Sequence, residues 1–237
     1  MTEFTLIKSL KNNKLLTVFS FVFVSLFICL GIWQIDRAGE KSYRMQAFAE
    51  QQQKFPMQLT DLSLEWSRAF VDGAYDPMRQ ILIDNQIHNG KIGYKIYTPF
   101  YFENSQIILV DRGWIPQGKS RNDLPDINFS SSNLRIIGTL VKPQRGVVAG
   151  EELITNSWPR VSQTKSTKII SSAFTEKILE MVLVLDPGSK FINEYIPITP
   201  FVITPVKHYS YAMQWFTMSI VLFGMFLYAL KREKYEK

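Results

Sequence analysis

The sequence predicts a membrane protein in which two transmembrane α-helices, one N-terminal and one C-terminal, flank an extracytoplasmic β-rich α+β domain. Three observations carry that prediction. Two long runs contain no charged side chain, the excess of positive charge sits at the two ends, and short alternating segments broken by turn residues fill the interval between the runs.

The first run, "LLTVFSFVFVSLFICLGIWQI", is the 21 residues between Lys14 and Asp36. The second, "YSYAMQWFTMSIVLFGMFLYAL", is the 22 residues between His208 and Lys231. Crossing ~30 Å of hydrocarbon takes about 20 helical residues, so each run is long enough. A cleaved signal peptide is the rival for the first. Its apolar core exceeds the usual ~7–15 residues and no small-residue cleavage site follows, which favours an uncleaved anchor. A lipoprotein signal is disfavoured because bulky Phe27 and Ile28 precede Cys29.

Charge sets the expected orientation. Residues 1–14 carry three Lys and one Glu, and residues 231–237 carry four Lys/Arg and two Glu. The 173 residues from 36 to 208 are close to balanced, with 20 basic against 18 acidic side chains. Short basic tails stay on the cytoplasmic side, while long loops translocate largely regardless of charge. The expected layout is therefore a cytoplasmic tail at 1–14, a first span at 15–35 and a helical stalk at 36–55. An outer domain at 56–208, a second span at 209–230 and a second cytoplasmic tail at 231–237 complete it. Only 14 residues precede the first span and they contain no Arg, so a bacterial inner membrane fits better than mitochondrial targeting, with the central domain periplasmic. Because so little net charge belongs to the outer domain, nucleic acid is not an expected partner. Membrane lipid is.

The stalk, "DRAGEKSYRMQAFAEQQQK", lacks Pro, is rich in helix formers and ends before Pro56, so it should continue the first helix for several turns despite Gly39. Strands are expected in "RAFVDGAY", "RQILIDNQ", "YKIYTPFYF", "SQIILVDRGWIP" and "NLRIIGTLV", with Asn89-Gly90 as a hairpin turn. A helix is expected in "TKSTKIISSAFTEKILE", followed by a strand in "MVLVLD". The single cysteine, Cys29, lies in the first run, which excludes an intramolecular disulfide and a cysteine-rich metal site.

The chain carries no P-loop, dinucleotide-binding, zincin, Cys-x-x-Cys or nucleophile-elbow motif. With two histidines in all, a conventional enzyme is not expected. "DRGWIP" (111–116) reads as a strand end and turn with Trp114 in the core.

Two clusters stand out at the ends of the spans. On a helical wheel Trp33, Gln34, Arg37, Lys41 and Arg44 fall within about 100° of arc, forming a basic stripe where the first span ends. On the second helix His208, Tyr211, Ala212, Trp215, Ser219, Leu222 and Phe226 share a face. Small Ala212 and Ser219 permit close approach by a helix or a flat ligand, Tyr211 and Trp215 offer aromatic walls, and His208 offers a neutral nitrogen to a metal. Antiparallel spans put Arg37 and His208 at similar depth. Anchoring to lipid headgroups accounts for both clusters. So does a haem, which needs an axial ligand, an apolar face and partners for its propionates.

"LGIWQIDRAGEK" (30–41), "DRGWIP" (111–116) and "HYSYAMQWF" (208–216), in this order, resemble the surfeit locus protein 1 family, as do "VDGAYDP" and "GYKIYTPF" between them. The resemblance spans nearly the whole chain. It implies a two-span membrane protein that assists assembly of cytochrome c oxidase without being an enzyme, working with the oxidase catalytic subunit and the haem a synthesis machinery. It also implies that haem a is cargo and that His208, which opens the second span, is its iron ligand. Gly31, Trp33, Gln34 and Arg37 match the family's first motif. Asp111 stands where members often have Asn, which leaves that side chain's polar contact open. The expected haem-binding residues are thus His208 on the metal, Arg37 on a propionate, and Trp33, Tyr211 and Trp215 on the apolar surface. A cofactor-free membrane scaffold that stabilises oxidase intermediates is the alternative.

Overall fold

The computed structural model describes residues 14–60, 63–103, 106–120, 123–130, 132–143, 154–201 and 203–235. The tail charges at 1–13 and 236–237 lie outside these. Two compact units emerge, one of the terminal helices and one formed by Phe48–Ile198.

Helix α1 runs without interruption over Lys14–Gln52, and the C-terminal helix, numbered α3 below, spans Pro205–Tyr235. Both are long and apolar enough to cross a membrane. Helix α1 continues through Gly39, whose propensity cost of about 1 kcal/mol is small against the helix formers around it. Pro205 opens α3 where a missing N–H costs nothing, because first-turn donors have no intrahelical acceptor.

The second unit is built on eight strands: β1 (Met57–Gln58), β2 (Arg68–Tyr75), β3 (Ile81–His88), β4 (Lys91–Phe102), β5 (Gln106–Pro116), β6 (Leu134–Val141), β7 (Arg160–Ser162) and β8 (Ile178–Leu185). They pair in the order β1-β2-β6-β8-β5-β4-β3-β7, and β2 pairs again with β4. That extra pairing, Ala74 with Tyr101 and Tyr75 with Phe100, closes β2, β6, β8, β5 and β4 into a ring. Gly73 permits the switch. It is still paired with Leu134 of β6, and a Cβ there would collide with the Tyr101 carbonyl.

Alternation along β5 and β8 fills two cores. Ile108, Val110, Leu183 and Leu185 join Val71, Tyr75, Phe100, Ile136 and Leu140 in one cluster, while Leu109 and Val182 face Ile81, Ile83, Tyr97 and Ile170 in another. With both faces covered, β5 is buried continuously from Ile107 to Trp114.

Two sequence expectations change. The helix foreseen across 164–180 is reduced to one turn, α2 (Thr167–Ile170), and a short 3-10 segment, Ser171–Ala173. Its "ILE" belongs instead to β8, where β-branched and apolar residues are drawn into pairing with β5 and β6. Tertiary pairing overrode a weak helical propensity. The hairpin at Asn89-Gly90 forms as the turn chemistry requires, with positive φ at both residues (49° and 74°).

"DRGWIP" forms the end of β5, with Trp114 in the core as expected, but residues 111–114 are buried strand and not a turn. Asp111 accepts from Lys95 Nζ at 2.6 Å and from the Gly113 N–H at 3.0 Å, the polar contact that its sequence left open. Arg112, only 4% exposed, donates to the Phe191 carbonyl at 2.9 Å and to Gln80 Oε1 at 2.7 Å, with its guanidinium 4.0 Å above the Phe129 ring. Burial pushes its pKa down to about 10, and it keeps its charge at neutral pH. Gln80 in turn binds Thr98 and the Ile127 carbonyl.

Candidate functional site

The site is built on the unit of terminal helices. The buried residues of α1 are Ser20, Gly31, Gln34 and Ala38, a face of small side chains interrupted by one amide. On α3 His208, Ala212 and Ser219 are buried, at intervals of four and seven residues that keep them on one helix face. Small residues let helix backbones approach closely. Gly31 is an instance, because a Cβ there would come within 2.6 Å of the Phe216 ring.

The contacts between the two helices keep one antiparallel register. Ser219 Oγ reaches toward the Val24 carbonyl (3.5 Å), and Trp215 stacks on Phe27 with ring centroids 5.6 Å apart. His208 meets Gln34, with Nδ1 2.7 Å from Oε1. Beyond them Lys41 donates to the Ile203 carbonyl at 3.1 Å, and the cations of Lys41 and Arg44 lie over the Phe201 ring.

His208 is the distinctive member. It is 8% exposed, its Nδ1 is taken by Gln34, and its Nε2 is buried with no hydrogen-bond partner. A polar atom in that position costs about 1–3 kcal/mol relative to a satisfied one. An imidazole nitrogen with a free lone pair is a group that a metal can take.

The other expected residues are placed unevenly. Trp33 is half exposed with the Arg37 guanidinium 5.9 Å from its ring centre, so these two form one amphipathic ledge beside Gln34. Arg37 already holds a carboxylate, Glu40 Oε2 at 2.7 Å, and both side chains are half exposed. Glu40 takes an Nη1 donor of the five that a guanidinium carries, so a propionate at Arg37 need not displace it. Tyr211 is 47% exposed on the outer side of α3. Trp215 is engaged with Phe27 and lies two helical turns, about 10 Å, along α3 from His208. The structure thus gathers Gln34 with His208 and Trp33 with Arg37, and leaves Tyr211 and Trp215 apart from them.

Two partners were missed in the sequence. Gln34 was visible in the basic stripe but had no role assigned, and Phe27 was absent from it. The available signal was the spacing of Ser20, Gly31, Gln34 and Ala38, a face on which a lone amide requires a polar partner. His88, which precedes the Asn89-Gly90 turn, is tied down. Its Nε2 lies 3.0 Å from Glu194 Oε1 and its ring packs edge-on to Trp114. Among the described residues no group of three or more His, Cys, Asp or Glu side chains could hold a metal ion. A metal at His208 would therefore have to bring its other ligands with it, as haem iron does.

The profile of the SURF1 family matches residues 21–220. This chain belongs to the SURF1 family. The match takes in residues 21–52 of α1, residues 205–220 of α3 and the whole strand-built unit. A SURF1-like protein of Rickettsia conorii is 23% identical over 226 residues, covering 91% of this chain and 90% of that protein. One from Rickettsia felis is 24% identical over 216 residues, with 86% and 91% coverage. A SURF1-like protein of Dictyostelium discoideum is 24% identical over 181 residues, with 70% and 66% coverage. SURF1 family members are generally known as cytochrome oxidase assembly factors.

Proposed function

We propose that this chain is a non-enzymatic assembly factor that holds haem a for the catalytic subunit of cytochrome c oxidase, with His208 Nε2 on the iron. One observation carries the assignment: Nε2 is buried, lacks a hydrogen-bond partner and belongs to an imidazole whose other nitrogen is already engaged. A single protein ligand suffices for haem, because the porphyrin supplies four more. Arg37 is the propionate partner, since its planar fork suits a carboxylate, and Glu40 marks where such a carboxylate sits. Trp33 covers apolar haem surface from the same ledge. The haem a synthesis machinery is the expected donor.

Both helices cross a bacterial inner membrane, with the termini cytoplasmic and the strand-built unit periplasmic. The basic tails support that orientation. Reporter fusions at Lys237 and in the 88–91 hairpin should give opposite compartment signals, and matching signals would end the two-span layout.

The second reading is a cofactor-free scaffold for oxidase intermediates, favoured by the covered Nε2 and by the pairing of Arg37 with Glu40. The two separate on purification from cells that make haem a. Visible Soret and α bands that copurify with the protein are expected. A colourless protein whose deletion still lowers assembled oxidase would establish the scaffold instead.

A further inference from the structure

We propose that Gln34 is a positioning residue that fixes the tautomer of His208 and keeps Nε2 as the metal-binding nitrogen. The inference rests on the haem assignment above but concerns a different residue. The amide oxygen of Gln34 lies 2.7 Å from Nδ1, and Nε2 has no partner. Two proton arrangements satisfy the Nδ1 contact. In one, Nδ1–H donates to Oε1 and Nε2 carries a bare lone pair. In the other, the amide is reversed, its NH2 group donates to Nδ1, and an N–H at Nε2 is left buried without an acceptor. Orphaned buried N–H donors are rarer in native proteins than under-satisfied acceptors, so the first arrangement is favoured. It is also the arrangement in which Nε2 can bind a metal.

The location supports the role. Gln34 is 9% exposed and comes from the other helix, so the imidazole is held across the α1–α3 packing face and not by its own turn. Ala38 and Ala212 on the same packed faces are 0% and 3% exposed, which limits how far either side chain can swing. Residues that accept the second N–H of a ligating imidazole orient the ring and raise its basicity, and their loss typically costs 10–100-fold in metal affinity.

The test measures haem loss from the full-length protein to an excess of apomyoglobin, together with the reduction midpoint and the iron–imidazole Raman band. Gln34→Leu removes the acceptor at similar size. It should release haem 10–100-fold faster while the bands of a His208-ligated iron persist. Gln34→Glu restores an acceptor and strengthens it, so retention should recover, the midpoint should move to more negative potential and the iron–imidazole band should rise in frequency. A role limited to helix packing would change none of the last two. Wild-type loss rates and midpoints in both variants would overturn the proposal, and so would tighter retention by Gln34→Leu, because the hydrogen bond would then belong only to the haem-free state. Failure of the haem assignment itself reads differently: His208→Ala would leave the spectrum of an otherwise normal protein unchanged.

Discussion

His208→Ala should abolish the haem spectrum of the purified protein while leaving its abundance in the membrane close to wild type. The imidazole contributes one hydrogen bond to the helix pair, through Gln34, worth about 0.5–1.5 kcal/mol. Removing it leaves a buried amide oxygen, with a further cost of about 1–3 kcal/mol that water entering the vacated space reduces. Against this, α1 and α3 keep the Gly31–Phe216 approach, the Trp215–Phe27 stack and the Lys41 bond to Ile203. The helices should therefore stay paired. For the iron nothing comparable remains, since the one other histidine, His88, is engaged with Glu194 and Trp114. Spectra of His208→Ala and His88→Ala, normalised to protein, make the check. A normal spectrum in the first together with a lost one in the second would move the site to the strand-built unit.

The parts of this architecture that were legible in the sequence are those fixed by local pattern. The two apolar runs could only be long helices, and "RAFVDGAY" became β2 residue for residue because its turn residues and alternation leave no other register. Asn89-Gly90 specified its own hairpin. What failed depended on partners distant in the chain. "EKILE" has helical propensity, and only the edges presented by β5 and β6 make its end a strand. The short strands β1 and β7 have no pattern of their own, being 2 and 3 residues that are ordered by β2 and β3.

The site divides in the same way. His208 stood out by its type and its place at the head of an apolar run. The aromatic residues were chosen by wheel angle, which says which face a residue occupies on its own helix but not how the partner helix is rotated. Packing put Gln34 on the face toward α3 and left Trp33, one residue earlier, half exposed on the ledge with Arg37. A sequence pattern alone does not set that rotation. The contact made by Gly31 does.

Arg112→Ala should lower the stability of the strand-built unit by about 3–5 kcal/mol, the largest effect expected for any polar residue in it. The side chain is 4% exposed, and its loss deletes the bonds to the Phe191 carbonyl and Gln80 and the stack on Phe129. Gln80 still has Thr98 as a donor, so the orphan left behind is the Phe191 carbonyl, next to a cavity the size of the guanidinium and its stem. Arg112→Lys should recover only part of this, because an ammonium has no planar fork to serve both acceptors and stack on Phe129. The exposed pair of Arg135 with Asp72 supplies the contrast. Its two bonds, at 2.8 and 2.7 Å, look as good as those of Arg112, yet both side chains are more than half exposed. Water and salt replace most of that interaction, so Arg135→Ala should be close to neutral. Thermal melts of the full-length protein in detergent, followed by near-UV circular dichroism, should show Arg112→Ala about 10 °C or more below wild type and Arg135→Ala beside it. Equal shifts for the two variants would mean that the network around Arg112 does not hold the ring of strands together. With the expected order, oxidase assembly lost in Arg112→Ala cells should track the amount of surviving protein, while the haem spectrum per molecule stays that of wild type.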